Sequence, residues 1–102
     1  MNENIRRLVK EALQGVEHSR IVLFGSRARG DFGAESDYDI LITTKHALSL
    51  DERIRVFGLV RRHLAQHDID ADVIVKSERE VEDLKHEVGS VVESAIEEGV
   101  LL

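Results

Sequence analysis

At 102 residues and 11.5 kDa the chain has the size of one domain, and 42% hydrophobic residues suffice for a core without covalent staples. The absence of cysteine excludes disulfides, thiolate metal ligands and cysteine nucleophiles, and fits a reducing, cytoplasmic setting. A formal net charge of −6, no tryptophan and only 4% aromatic residues argue against a nucleic-acid surface, so no direct nucleic-acid binding is expected.

The N-terminal stretch MNENIRRLVKEAL alternates acids and bases where a secretory segment would be apolar, so no signal peptide is expected. Ile5, Leu8, Val9, Ala12 and Leu13 recur at helical spacing, and Gly15 is placed to end that helix. Arg20 to Phe24 reads as a buried strand. Its apolar stretch Ile21-Val22-Leu23-Phe24 is far shorter than the roughly 20 residues of a membrane span, and no membrane contact is expected. Tyr38, Ile40 and Ile42 alternate with Asp37, Asp39 and Leu41, which predicts a second strand. Leu50, Ile54, Phe57, Val60 (or Arg61) and Leu64 predict a helix over 49–66. Asp51 and Glu52 suit the positive end of its dipole. Ile69, Ala71, Val73 and Val75 alternate with Asp70, Asp72 and Ile74 as a third strand. Helical patterning then runs from Val81 to Ile96, with Gly89 as a break and Gly99 as a C-cap. The tail Val100-Leu101-Leu102 is apolar and has no evident cover.

The expected order is α-β-(short α)-β-α-β-α-α, an α/β sandwich around a small sheet, with residues 1–102 as a single domain. A long helical crossover allows the second and third strands to pair in parallel. The first and second are open to either direction.

Chemistry concentrates between Phe24 and Ile42. Gly25-Ser26 follows a strand and opens a helical turn, where backbone amides and a hydroxyl can meet a phosphate. The same pattern also serves an ordinary capped turn. Arg27 and Arg29 offer planar forks suited to phosphate. Asp37 and Asp39 share one face of a strand, a repulsive pair in a residue type that strands avoid. A hard divalent cation such as Mg²⁺ relieves that repulsion. A third carboxylate, Asp72 or Asp70, joins them if the third strand lies beside the second. Three carboxylates can hold two Mg²⁺ ions for in-line displacement at phosphorus.

Gly25-Ser26-Arg27-Ala28-Arg29-Gly30 followed by Ser36-Asp37-Tyr38-Asp39 resembles the G-S-x-A-x-G…S-D-x-D signature of the nucleotidyltransferase superfamily that includes DNA polymerase β. The small size is similar to its minimal (MNT) branch. The resemblance implies the nucleotidyltransferase fold, a small mixed β-sheet flanked by helices. It implies Mg²⁺-dependent transfer of a nucleoside monophosphate from an NTP, with AMP from ATP as the expected case, to an acceptor hydroxyl. By position it implies nucleotide contacts from Gly25, Ser26, Arg27, Arg29 and Ser36, and metal ligation by Asp37, Asp39 and a third acid. Asp72, followed by Val73-Ile74-Val75, fits the family pattern better than Asp70, although spacing alone does not separate them.

The minimal branch is further similar to antitoxins whose partner is a helical HEPN-domain toxin, modified on a tyrosine hydroxyl. That agrees with a domain too small to hold a bulky acceptor by itself. Rival expectations are a non-catalytic antitoxin that masks its partner, and a small-molecule nucleotidyltransferase, whose relatives carry an extra substrate-holding domain. His63 and His67 stand i, i+4 without a third ligand in the sequence, and Arg53, Arg55, Arg61 and Arg62 make the 49–66 helix locally basic.

Overall fold

A computed structural model describes residues 2–31, 33 and 37–102. Its elements in chain order are α1 (Asn2–Ala12), β1 (Arg20–Phe24), α2 (Ser26–Arg29), β2 (Tyr38–Thr44), α3 (Leu50–Ala65), β3 (Ala71–Ser77), α4 (Glu78–Leu84), α5 (Val91–Glu98) and β4 (Val100–Leu101). The expected order holds, with one addition. The apolar tail is a fourth strand.

The sheet runs β3-β2-β1-β4. β2 and β3 are parallel, and β1 is antiparallel to both β2 and β4. The α3 crossover lets β2 and β3 run parallel, and the connection from β1 to β2, open to either direction in the sequence, joins them antiparallel. β4 has a simple cause. Leu101 sits opposite Val22, Val100 opposite Leu23, and the Leu102 N–H donates to the Ile21 carbonyl at 2.8 Å. The tail thereby satisfies an edge of β1 that would otherwise be open.

Strand alternation divides the core. Ile21, Leu23, Ile40, Ile42, Val73 and Val75 point to the face covered by α1 and α3, where they meet Ile5, Leu8, Val9, Val56, Val60 and Leu64. Val22, Phe24 and Leu41 point the other way, against Ala95 and Ile96 of α5. This second layer is smaller and leaves part of its face to other uses.

α3 forms where the spacing predicts, and its apolar residues divide between two stripes. Val56, Val60 and Leu64 form its buried stripe, while Leu50, Ile54 and Phe57 face outward. Both stripes have helical spacing, so the period alone could not choose between them. The C-terminal helical region is two helices, as expected, α4 and α5, separated by a turn in which Gly89 takes φ +85°.

Two reciprocal caps start α3 and α4. The Ser49 N–H donates to Glu52 Oε1 at 3.0 Å and the Glu52 N–H to Ser49 Oγ at 3.2 Å. Ser77 and Glu80 repeat this at the start of α4, at 3.0 and 3.2 Å. The Ser77 backbone N–H holds the Glu80 carboxyl below the usual range. Ser77→Ala is expected to cost about 1 kcal/mol, lowering Tm by about 4–8 °C. Glu80 contributes stability above the ordinary glutamate range and loses it as pH falls through its depressed value. Thermal melts of wild type and Glu80→Gln should therefore differ at neutral pH and converge in acid.

Candidate active site

β1 ends at Phe24, and Gly25 turns the chain into α2. Gly25 takes φ +73° and ψ −158°, a conformation that only glycine adopts readily. It is also pressed against β2. A Cβ added there would collide with the Asp39 carboxylate, whose Cγ would lie 3.1 Å away. The glycine is thus required twice, by its backbone angles and by the side chain it faces.

Gly25 is the N-cap of α2, and its carbonyl accepts from the Ala28 and Arg29 amides at 3.1 and 3.0 Å. Ser26 is therefore the first helical residue rather than the cap. Its half-buried hydroxyl makes no hydrogen bond among the described residues. Gly30 closes the turn at φ +87°, donating to the Ser26 carbonyl.

The parallel β2–β3 register sets Asp39 directly beside Asp72, while antiparallel pairing sets Asp39 opposite Phe24. Alternation puts both carboxylates on the α5 face of the sheet, beyond the small second core. Burial pushes the Asp39 carboxyl above the usual range, the charges of Asp72 and Asp37 push it further, and Arg29 opposes them. Asp70 behaves differently. It lies just ahead of β3, its carbonyl accepts from the Tyr38 N–H at 3.0 Å, and its charge is not among those acting on Asp39. Asp72 is the later-strand acid that meets Asp39.

The two arginines are committed in different ways. Arg27 places its guanidinium 4.5 Å from the centre of the Tyr38 ring, a cation–π contact. Arg29 bridges Asp31 Oδ2 at 3.2 Å and Glu98 Oε1 at 2.9 Å. Glu98 is the last residue of α5, so this ion pair ties the turn to the C-terminal helix. No sequence signal points to Glu98: it stands 69 residues from Arg29, with no motif around it. Ser36 lies outside the described residues.

The resemblance implies a divalent cation, and the donor chemistry fits one. Asp37, Asp39 and Asp72 are hard oxygen donors, and the repulsion felt by Asp39 is the charge excess that Mg²⁺ relieves. Among the described residues no three acidic or imidazole groups are gathered into a closed cluster. His63 is instead bound to Glu11 Oε1 at 3.1 Å, joining α3 to α1, with the His67 ring edge-on at 5.4 Å.

A family model described as nucleotidyltransferase domain matches residues 3–54. The chain belongs to that family. The matched stretch carries the Gly25 turn, Asp37 and Asp39, and ends inside α3. A candidate protein adenylyltransferase of Methanocaldococcus jannaschii, MJ0141, is 42% identical over 50 residues, 49% of this chain and 50% of that protein. The chain therefore spans about half the length of that relative. A candidate nucleotidyltransferase from Sulfolobus solfataricus superposes with a TM-score of 0.62 and 25% identity, over 96% of this chain and 76% of that one. A toxin–antitoxin structure with AMP-PNP superposes with a TM-score of 0.64 and 21% identity, over 99% of this chain and 72% of that one, a likeness of fold. The expected fold of this family, a mixed sheet between helices, is the fold observed.

The packing of Gly25 on Asp39 can be tested from both sides. Gly25→Ala is expected to cost about 1–3 kcal/mol in backbone strain alone, measured by urea unfolding. Asp39, with its raised carboxyl, is best tolerated protonated, so its stabilising contribution is present in acid and lost as pH rises through the raised value. Without Mg²⁺, Asp39→Asn should then melt a few degrees above wild type at neutral pH, and the gain should shrink as pH falls into the carboxylate range.

Proposed function

We propose that this nucleotidyltransferase domain transfers a nucleoside monophosphate, AMP from ATP, to a hydroxyl of a partner protein, as the antitoxin of a toxin–antitoxin pair with a HEPN-domain toxin. The observation that carries the reading is the Asp39–Asp72 pair set side by side against the Gly25 turn. The name of the M. jannaschii relative supports protein adenylylation, and the AMP-PNP-bound neighbour supports a nucleotide substrate. That this neighbour is a toxin–antitoxin structure supports the partner class.

In this reading the Gly25-Ser26 turn receives the triphosphate, with the unengaged Ser26 hydroxyl as a donor to a phosphate oxygen. Asp37, Asp39 and Asp72 would hold Mg²⁺, which when bound offsets the phosphate charge and acidifies the acceptor hydroxyl. Asp72 accepts the proton of that hydroxyl. The hydroxyl oxygen forms a bond to the α-phosphorus, the bond from that phosphorus to the β-phosphate oxygen breaks, and pyrophosphate leaves. Arg29, already paired with Asp31 and Glu98, acts on the site by holding α2 in place and by its charge near Asp39. The acceptor side is open, because Asp37 and Asp72 are exposed. An acceptor protein that presents its own hydroxyl suits such a mouth.

The test is incubation with α-labelled ATP and Mg²⁺ in lysate of the source organism, wild type beside Asp37→Asn/Asp39→Asn. Label on one discrete protein with wild type alone is the expected result. Equal labelling by the double variant overturns the reading. Equal co-purification of a small protein by both forms, without label, favours a binding antitoxin. Asp72→Asn is expected to lower transfer by several orders of magnitude, and Asp70→Asn to leave it within about tenfold.

A further inference from the structure

The α2 turn lacks the usual means of holding a helix in place. It has four residues, no side-chain cap and no fully buried side chain, and its one apolar residue, Ala28, packs at the margin of the larger core. So short a helix does not persist alone. Its place nevertheless matters, because Gly25 at its start lies against the Asp39 carboxylate. Two arginines leave it in opposite directions. Arg27 and Arg29 are two residues apart, so at 3.6 residues per turn their side chains project about 200° apart around the helix.

Each arginine is received on a different face of the sheet. Tyr38 precedes Asp39 in β2, so its side chain projects to the opposite face, where it packs against the larger core. Its ring takes the Arg27 guanidinium at 4.5 Å, and its N–H donates to the Asp70 carbonyl at 3.0 Å. On the other face Glu98 takes Arg29 at 2.9 Å from the end of α5, whose Ala95 and Ile96 pack with Val22, Phe24 and Leu41. Asp31, the other partner of Arg29, lies two residues along the same segment. It travels with the turn and does not tie it to the sheet. Tyr38 and Glu98 are the groups that belong to the body of the fold. One arm alone would let the turn tilt toward its side, whereas opposed arms fix its angle.

We propose that Tyr38 and Glu98 are positioning residues that grip α2 from the two faces of the sheet, Tyr38 through Arg27 and Glu98 through Arg29. Together they set the Gly25-Ser26 backbone against Asp39 and Asp72. The consequence for catalysis rests on the transfer reading above. A misplacement of about 1 Å can cost about 10²-fold in rate, so a slack turn shows in the maximal rate more than in the binding of ATP. Arg27 serves the site as an anchor, in place of the phosphate contact that its charge suggests in the sequence.

The test applies two readouts to Glu98→Gln and Tyr38→Leu, with Tyr38→Phe beside them. Amide hydrogen exchange by NMR follows the Ala28, Arg29 and Gly30 N–H groups, which close the turn on the Gly25 and Ser26 carbonyls. Glu98→Gln and Tyr38→Leu should each speed that exchange about tenfold, while the Ile40 and Ile42 amides in Glu98→Gln stay as in wild type. Labelling from α-labelled ATP and Mg²⁺, in source-organism lysate freed of nucleotides, is then followed against added ATP. Each of the two variants should lower the maximal rate at least about tenfold and change the half-saturating ATP concentration less than about threefold. Tyr38→Phe keeps the ring and should match wild type in both readouts. Should Tyr38→Leu not fold, Arg27→Met removes the same contact and leaves the core untouched. Unchanged exchange in the turn overturns the proposal, as does a maximal rate within about twofold of wild type, or a Tyr38→Phe that loses as much as Tyr38→Leu. A wild type that labels nothing overturns the transfer reading instead, and the amide exchange still decides whether the two arms hold the turn.

Discussion

The parallel pairing of β2 with β3 is the constraint on which the site depends. It exists because α3 is long enough to carry the chain back over the sheet and start β3 at the same end as β2. With that register, two carboxylates 33 residues apart in sequence become neighbours. Like charges side by side on adjacent strands are destabilising. Nothing in the packing asks for them, since the positions further along the same face carry apolar Leu41 and Ile74. The repulsion is of the kind that a divalent cation relieves.

A second set of contacts keeps the turn facing those carboxylates. Gly25 allows the chain to pass so close to Asp39 that no larger residue fits. Four-residue α2 is too short to hold itself. It is anchored by Arg29 to Glu98, at the end of α5. α5 is held in turn by its packing on β1 and by the strand after it, β4, which bonds to the far edge of β1. The last residues of the chain therefore brace the turn that leaves β1. An exposed ion pair contributes little energy by itself; its part here is to fix an orientation.

α3 carries two apolar stripes, one buried and one exposed. The Val56-Val60-Leu64 stripe closes the larger core against β2 and β3. The Leu50-Ile54-Phe57 stripe stays exposed, on a helix that also carries Arg53, Arg55, Arg61 and Arg62.

The order of elements, the Gly25–Gly30 turn and the carboxylates Asp37 and Asp39 were legible in the sequence, because each is a local pattern. Periodicity marks a helix or strand within a few residues, and a glycine directly after a strand marks a turn. The aliphatic run Val73-Ile74-Val75 marks Asp72 as the better candidate, but its separation from Asp70 is a matter of register. A strand offers equivalent positions at every second residue, and only the β2–β3 pairing decides which one meets Asp39. The buried side of α3, the role of the Val100-Leu101 tail as β4 and the Arg29–Glu98 tie also waited for the tertiary structure. Each depends on contacts between distant segments. A helical stripe shows that a face is apolar without showing what it meets, and an ion pair 69 residues apart leaves no trace in local spacing.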